Sequence, residues 1–116
     1  MKDFNGKIQY KDKEYKLVFN LNVMESIQNE YGTLDAWGKL TDGKATGEPD
    51  AHAVIFGFRE MLNEGIDIHN EESNDNAPYL TLKQVGRIIT EVGIQYATSV
   101  LNQTVIDSTQ SAEKNA

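Results

Sequence analysis

Lys7-Ile8-Gln9-Tyr10-Lys11, then Asp12-Lys13, then Glu14-Tyr15-Lys16-Leu17-Val18-Phe19-Asn20 is the stretch whose reading decides the fold. The first run alternates polar with apolar residues, the second closes on Leu-Val-Phe, and two turn-compatible residues separate them. That pattern predicts a β-hairpin. Ile8 and Tyr10 share one face of the first strand. In the second, Tyr15, Leu17 and Phe19 face one way while Lys16 and Val18 face the other. The Asp-Lys loop is a weaker tight-turn signal than Asp-Gly and leaves the turn type open. Two strands alone are marginally stable in water, so their apolar face must rest on a helix or on another subunit.

Everything downstream reads as helix and loop. Asn22 with Glu25 matches a capping box, Val23, Met24, Ile27 and Tyr31 recur at helical spacing, and Gly32 supplies a stop. Leu34, Trp37 and Leu40 predict one further helical turn beginning near Thr33 or Asp35, followed by a connector over residues 41–49. The next helix is expected to start near Pro49, which is tolerated at a first helical position, and to end at Gly65. Its apolar face is Val54, Ile55, Phe58, Met61 and Leu62, with Phe56 beside it and Gly57 requiring a close neighbour to justify it. Residues 67–78 are polar and rich in turn formers, the best candidate for a mobile loop. Thr81 and Gln84 form a second capping box. One final helix is expected from Leu82 to about Leu101, striped by Leu82, Val85, Ile89, Val92, Tyr96 and Val100. Gly86, Gly93 and Ala97 line a seam where another element can approach. The expectation is therefore an α+β fold, mainly α-helical, with an N-terminal two-stranded hairpin packed on three to four helices. Residues 1–107 form its single domain and residues 108–116 a flexible tail.

The composition narrows the function classes. At 116 residues, 39% hydrophobic and 25% charged, the chain fits one globular domain with a modest core. The absence of cysteine excludes a disulfide framework, a thiol nucleophile and thiolate metal sites. The first twenty residues lack the continuous apolar core of a secretory leader, and no run has the length to cross a bilayer. The formal charge of −7 is unevenly placed: five lysines, at 2, 7, 11, 13 and 16, face Asp3, Asp12 and Glu14, while the acidic excess follows later. An acidic chain with only a locally basic hairpin argues against duplex DNA as the partner. No membrane partner is expected either.

Chemistry-bearing motifs are missing where they would be needed. The Thr41-Asp42-Gly43-Lys44-Ala45-Thr46-Gly47 segment has phosphate-loop residues in the wrong order and without a preceding buried strand. His52 and His69 flank one helix without a converging ligand set, and the acidic residues Asp67, Glu71, Glu72 and Asp75 lack a calcium-loop register. Glu60 and Glu64 lie one turn apart on a polar face, which offers no apolar pocket to raise a general acid. Ser26, Ser73 and Ser99 have no His-Asp arrangement beside them. The reading names no catalytic, cofactor or metal residue and points to protein partners. Tyr31, Trp37, Phe56, Phe58 and Tyr96 are the expected partner contacts, because aromatic anchors concentrate binding energy. Trp37 also has a structural reading, as a wedge over the core. The apolar stripes are long for so small a chain, so cover by another copy or by a client segment is expected, with self-association the favoured form and closure of a monomeric core the alternative.

The order of features resembles a known family. A strand pair ending Tyr15-Lys16-Leu17-Val18-Phe19 leads into the helix ending Glu30-Tyr31-Gly32, then comes Phe56-Gly57-Phe58-Arg59-Glu60-Met61-Leu62, an acidic loop, and Leu80-Thr81-Leu82 opening the terminal helix. Over nearly residues 5–105 this looks like the tail assembly chaperones of long-tailed phages and related prophages of Gram-positive bacteria. The resemblance implies a non-enzymatic, self-associating protein of the host cytoplasm, absent from the finished virion. It would hold the tape measure protein and recruit tail tube protein during polymerisation. A small acidic regulatory or adaptor protein, and a minor structural tail component, are the competing expectations.

Overall fold

The computed structural model describes the backbone of residues 4–114 and the side chains of residues 6–109. Lys2 and Asp3 of the basic segment, and residues 115–116 of the expected tail, lie outside the described residues. The hairpin forms as β1 (Phe4–Tyr10) and β2 (Lys13–Phe19), antiparallel, in register from Phe4 opposite Phe19 to Tyr10 opposite Lys13. Lys11 and Asp12 have φ of 49° and 62°, which makes the loop a type I′ turn, the kind whose twist matches that of the strands. The inward face carries Ile8, Leu17 and Phe19, each buried.

Five helices follow: α1 (Leu21–Tyr31), α2 (Leu34–Asp42), α3 (Ala51–Ser73), α4 (Leu82–Val92) and α5 (Ile94–Lys114). The fold is thus α+β and mainly α-helical, with the hairpin packed against α3 and α5. Its core is continuous through Phe19, Ile27, Trp37, Val54, Phe58, Met61, Val85 and Leu101. The Cα radius of gyration, 13.7 Å, is close to the roughly 13 Å of a compact domain of this size. The long apolar stripes therefore close largely within one copy.

Several boundaries differ from expectation for identifiable reasons. Asn20, not Asn22, caps α1: its extended backbone lets Oδ1 accept from the Val23 N–H at 3.2 Å, while Asn22 reaches across to Glu64 instead. Asp50 caps α3 through the Ala53 N–H at 2.9 Å, leaving Pro49 just outside the helix. Gly65 does not end α3. It lies where the helix crosses the open edge of β2, and a Cβ there would stand 3.0 Å from the Lys16 carbonyl oxygen. Residues 67–73 of the expected loop are accordingly the last two turns of α3. The Thr81–Gln84 capping box is present at the start of α4.

The expected final helix is broken in two at Gly93, whose φ of 95° and ψ of 132° no helix contains. The helical path of α5 also continues beyond Asp107 to Lys114, and Ser108 is buried with Oγ donating to the Phe19 carbonyl at 3.1 Å.

Candidate interaction surface

Of the five expected contact aromatics, two are enclosed entirely by the chain's own core. Trp37 is buried, and its Nε1–H donates to the Ala53 carbonyl at 3.0 Å. Its ring lies on Gly57, where a Cβ would approach Cε2 to 3.0 Å, so the mid-helix glycine has the close neighbour its sequence position requires. Phe58, the next residue along α3, is also buried. Phe56 is buried at the edge of the core, edge-on to the half-buried Tyr31 ring at 5.6 Å. The Tyr31 hydroxyl is covered and has no hydrogen-bond partner among the described residues. Burial first, then the nearby Asp50 and Glu30 carboxylates, raise its phenol above the ordinary tyrosine value. Tyr96 alone of the five stands largely exposed, at 55%.

Tyr96 belongs to an outward row on α5. Tyr96, Ser99, Gln103 and Ile106 follow one another at three- and four-residue steps, and all four are exposed. The packed side of α5 carries the buried Ala97, Leu101, Thr104 and Ser108, with Thr104 against Gly6 and Ser108 bonded to Phe19 of the hairpin. Beside the row runs a groove of about 290 Å³ between α5 and β1, lined by Gly6, Lys7, Ser99, Val100, Gln103, Thr104 and Asp107. The outer edge of β1, carrying Lys7 and Gln9, receives no backbone hydrogen bond from any other described element. An unpaired strand edge, a groove and a row with tyrosine and isoleucine at its ends make a surface able to take an extended or helical segment. The sequence names Tyr96 twice, as a partner contact for its aromatic ring and as a member of the stripe expected on the final helix. Ile106 was missed, because its face becomes apparent only once α5 is known to start afresh at Ile94.

A second concavity, about 230 Å³, opens between α1 and α3 and is lined by Glu60, Asn63, Glu64, Asp67 and Tyr79 with Asn22, Val23 and Ser26. Its acidic groups are engaged by the protein itself. Glu60 accepts from the Arg59 guanidinium at 3.0 Å, and Glu64 accepts from Asn20 at 2.7 Å and from Asn22 at 3.1 Å. The Tyr79 hydroxyl donates to Asp67, a bond that raises the Tyr79 phenol. Among the described residues no group of three or more histidines and carboxylates is placed to hold a metal ion. His52 sits 3.9 Å from Glu30, and His69 sits 3.0 Å from Asp75, at separate ends of α3. No described helix is long and apolar enough to cross a membrane.

Comparison with protein-family models, with characterised proteins and with solved structures finds no match to this chain.

Proposed function

We propose that this chain is a non-enzymatic holding protein of phage tail assembly, whose client is the tape measure protein and whose second partner is the tail tube protein. It acts in the host cytoplasm and leaves before the virion is complete. The observation that carries the reading is the exposed α5 row from Tyr96 to Ile106 beside the unpaired edge of β1, set in a chain of net charge −7. A tape measure protein is long and helical, and its apolar stripes need cover before the tube encloses them. An exposed row with Tyr96 and Ile106 as apolar anchors on an acidic carrier supplies that cover and keeps the complex dispersed. The order of strand pair, helices and connector along the chain supports the same reading.

Client contact in this proposal runs through Tyr96 and Ile106, with Tyr31 at the margin and Trp37, Phe56 and Phe58 holding the scaffold. The test is capture of a tape measure fragment, taken from the long helical reading frame that this proposal expects beside the gene, with circular dichroism confirming that each variant is folded. The Tyr96→Ala/Ile106→Ser pair should weaken capture at least tenfold. Undiminished capture by the folded double variant rejects this surface. Presence of the chain in purified particles, read by mass spectrometry, rejects the chaperone role in favour of a structural tail component.

A further inference from the structure

We infer that α5 exchanges between two copies of this chain, with α4 and α5 straightening at Gly93 into one helix and each α5 seating on its partner's hairpin. This inference does not depend on the identity of any client. The link between α4 and α5 is a single residue, Gly93, held at φ 95° and ψ 132°, a conformation that L side chains rarely adopt. A Cβ at this position would meet nothing within 4 Å, so the bend, and not lack of space, is what demands glycine. Short hinges between packed elements are the usual route to exchange.

The bent form leaves helical bonds unmade. Gly93 N–H reaches the Ile89 carbonyl and Ala97 N–H reaches the Gly93 carbonyl. The bonds that a continuous helix would add, from Ile94, Gln95 and Tyr96 N–H to the carbonyls of Thr90, Glu91 and Val92, are absent. Gly93 has no side chain with which to cap α5. Straightening would recover those three bonds in each copy.

A straightened helix would call for a second copy. α4 rests on its core through Val85, Ile88 and Ile89, and α5 through Ala97, Leu101, Thr104 and Ser108. At 3.6 residues per turn those two faces lie roughly 130° apart around one straight helix. A straight helix therefore cannot seat both on the same core, whereas it can seat α4 on one copy and α5 on another. The exchanged α5 would make the contacts it makes now, including Ser108 Oγ to the Phe19 carbonyl and Thr104 against Gly6.

The experiment joins a hinge substitution to a cross-link. Gly93→Ala strains the bend and favours the straight helix, so light scattering over a concentration series should show dimerisation tightened at least tenfold. An ideal Cβ on Gly6 would lie 3.6 Å from the Thr104 Cβ, within disulfide range, and the chain has no other cysteine. In the Gly6→Cys/Thr104→Cys background the oxidised dimer fraction should run as a covalent dimer on non-reducing gels, and the monomer fraction as a cross-linked monomer. A Gly93→Ala chain that stays monomeric, or a dimer whose bridges all lie within chains, overturns the inference. Should Gly93→Ala fail to fold, the cysteine pair with native Gly93 is refolded from urea at millimolar concentration. Interchain bridges are then expected, and exclusively intrachain bridges overturn the inference.

Discussion

Gly57 and Trp37 behave as one unit, since the indole occupies the volume where any other residue on that turn of α3 would carry its Cβ. Alanine at position 57 would gain about 1 kcal/mol in helix propensity. The overlap with a buried ring that is also pinned to the Ala53 carbonyl should outweigh it. Gly57→Ala is therefore expected to lower stability by about 1–3 kcal/mol in urea titration and to alter the near-ultraviolet tryptophan signal. Increased stability with an unchanged signal would contradict the contact. The partnership was half legible: a mid-helix glycine demands a close neighbour, but nothing in the spacing says that the neighbour is the only tryptophan. Tyr31 presents the opposite case, a covered hydroxyl without a partner. Tyr31→Phe should stabilise the protein by about 1 kcal/mol at neutral pH, by removing a polar atom that loses water without replacing it. Its phenol is raised above 10.0, so the contribution of the neutral form is complete below the unfolded value and is lost as pH rises through the folded one. The advantage of Tyr31→Phe should therefore grow above about pH 10, and a constant difference across that range would refute the account.

Element boundaries show where local signals compete with packing. Gly65 reads as a terminator because glycine supplies the left-handed backbone of many helix ends, yet its φ is not positive here and α3 continues for two more turns. The actual end is Asn74, at φ 52°. Beyond it, residues 74–81 are held by two side chains one heptad apart on α3. Asn70 accepts from the Ala77 N–H at 2.9 Å and donates to the Ala77 carbonyl at 3.0 Å. Asn63 does the same for Leu80, at 2.9 and 3.1 Å. Turn-forming composition made the segment look mobile, because such clasps depend on tertiary position and leave no periodic trace. Each asparagine makes two bonds worth about 0.5–1.5 kcal/mol apiece, so Asn63→Ala and Asn70→Ala should each cost about 1–3 kcal/mol and speed amide exchange at Leu80 and Ala77 respectively. Exchange unchanged in both variants would show that the connector is held some other way. The capping boxes divided for the same reason: Thr81 and Gln84 close theirs because both face solvent at a free helix start, whereas Asn22 is drawn to Glu64.

Across the whole molecule, the decisive relation is between the two ends of the chain. The hairpin comes first in sequence, yet its inward face is covered by α5, the last helix. Period alone made α4 and α5 one stripe and turned Tyr96 inward; the Gly93 bend resets the phase, sends Tyr96 and Ile106 outward, and brings Thr104 and Ser108 onto the strands. The candidate surface was therefore only partly readable, since it depends on one backbone angle, while the hairpin and the helical character of the remainder were legible from alternation and caps. The same closure changes the meaning of the C-terminal segment. Ser108 lies in the stretch whose polar composition reads as a flexible tail, but its hydroxyl donates to the Phe19 carbonyl in a buried contact joining residues far apart in sequence. Such a bond resists removal more than a surface one, because it lies in the interior, where water cannot replace it freely. Ser108→Ala should thus lower stability by about 1–3 kcal/mol. Truncation after Asp107 should lower it by at least as much, because it also exposes the end of β2. Equal urea midpoints for the full chain and the truncated chain would mean that residues beyond 107 hang free of the fold, and that α5 needs no anchor past Thr104.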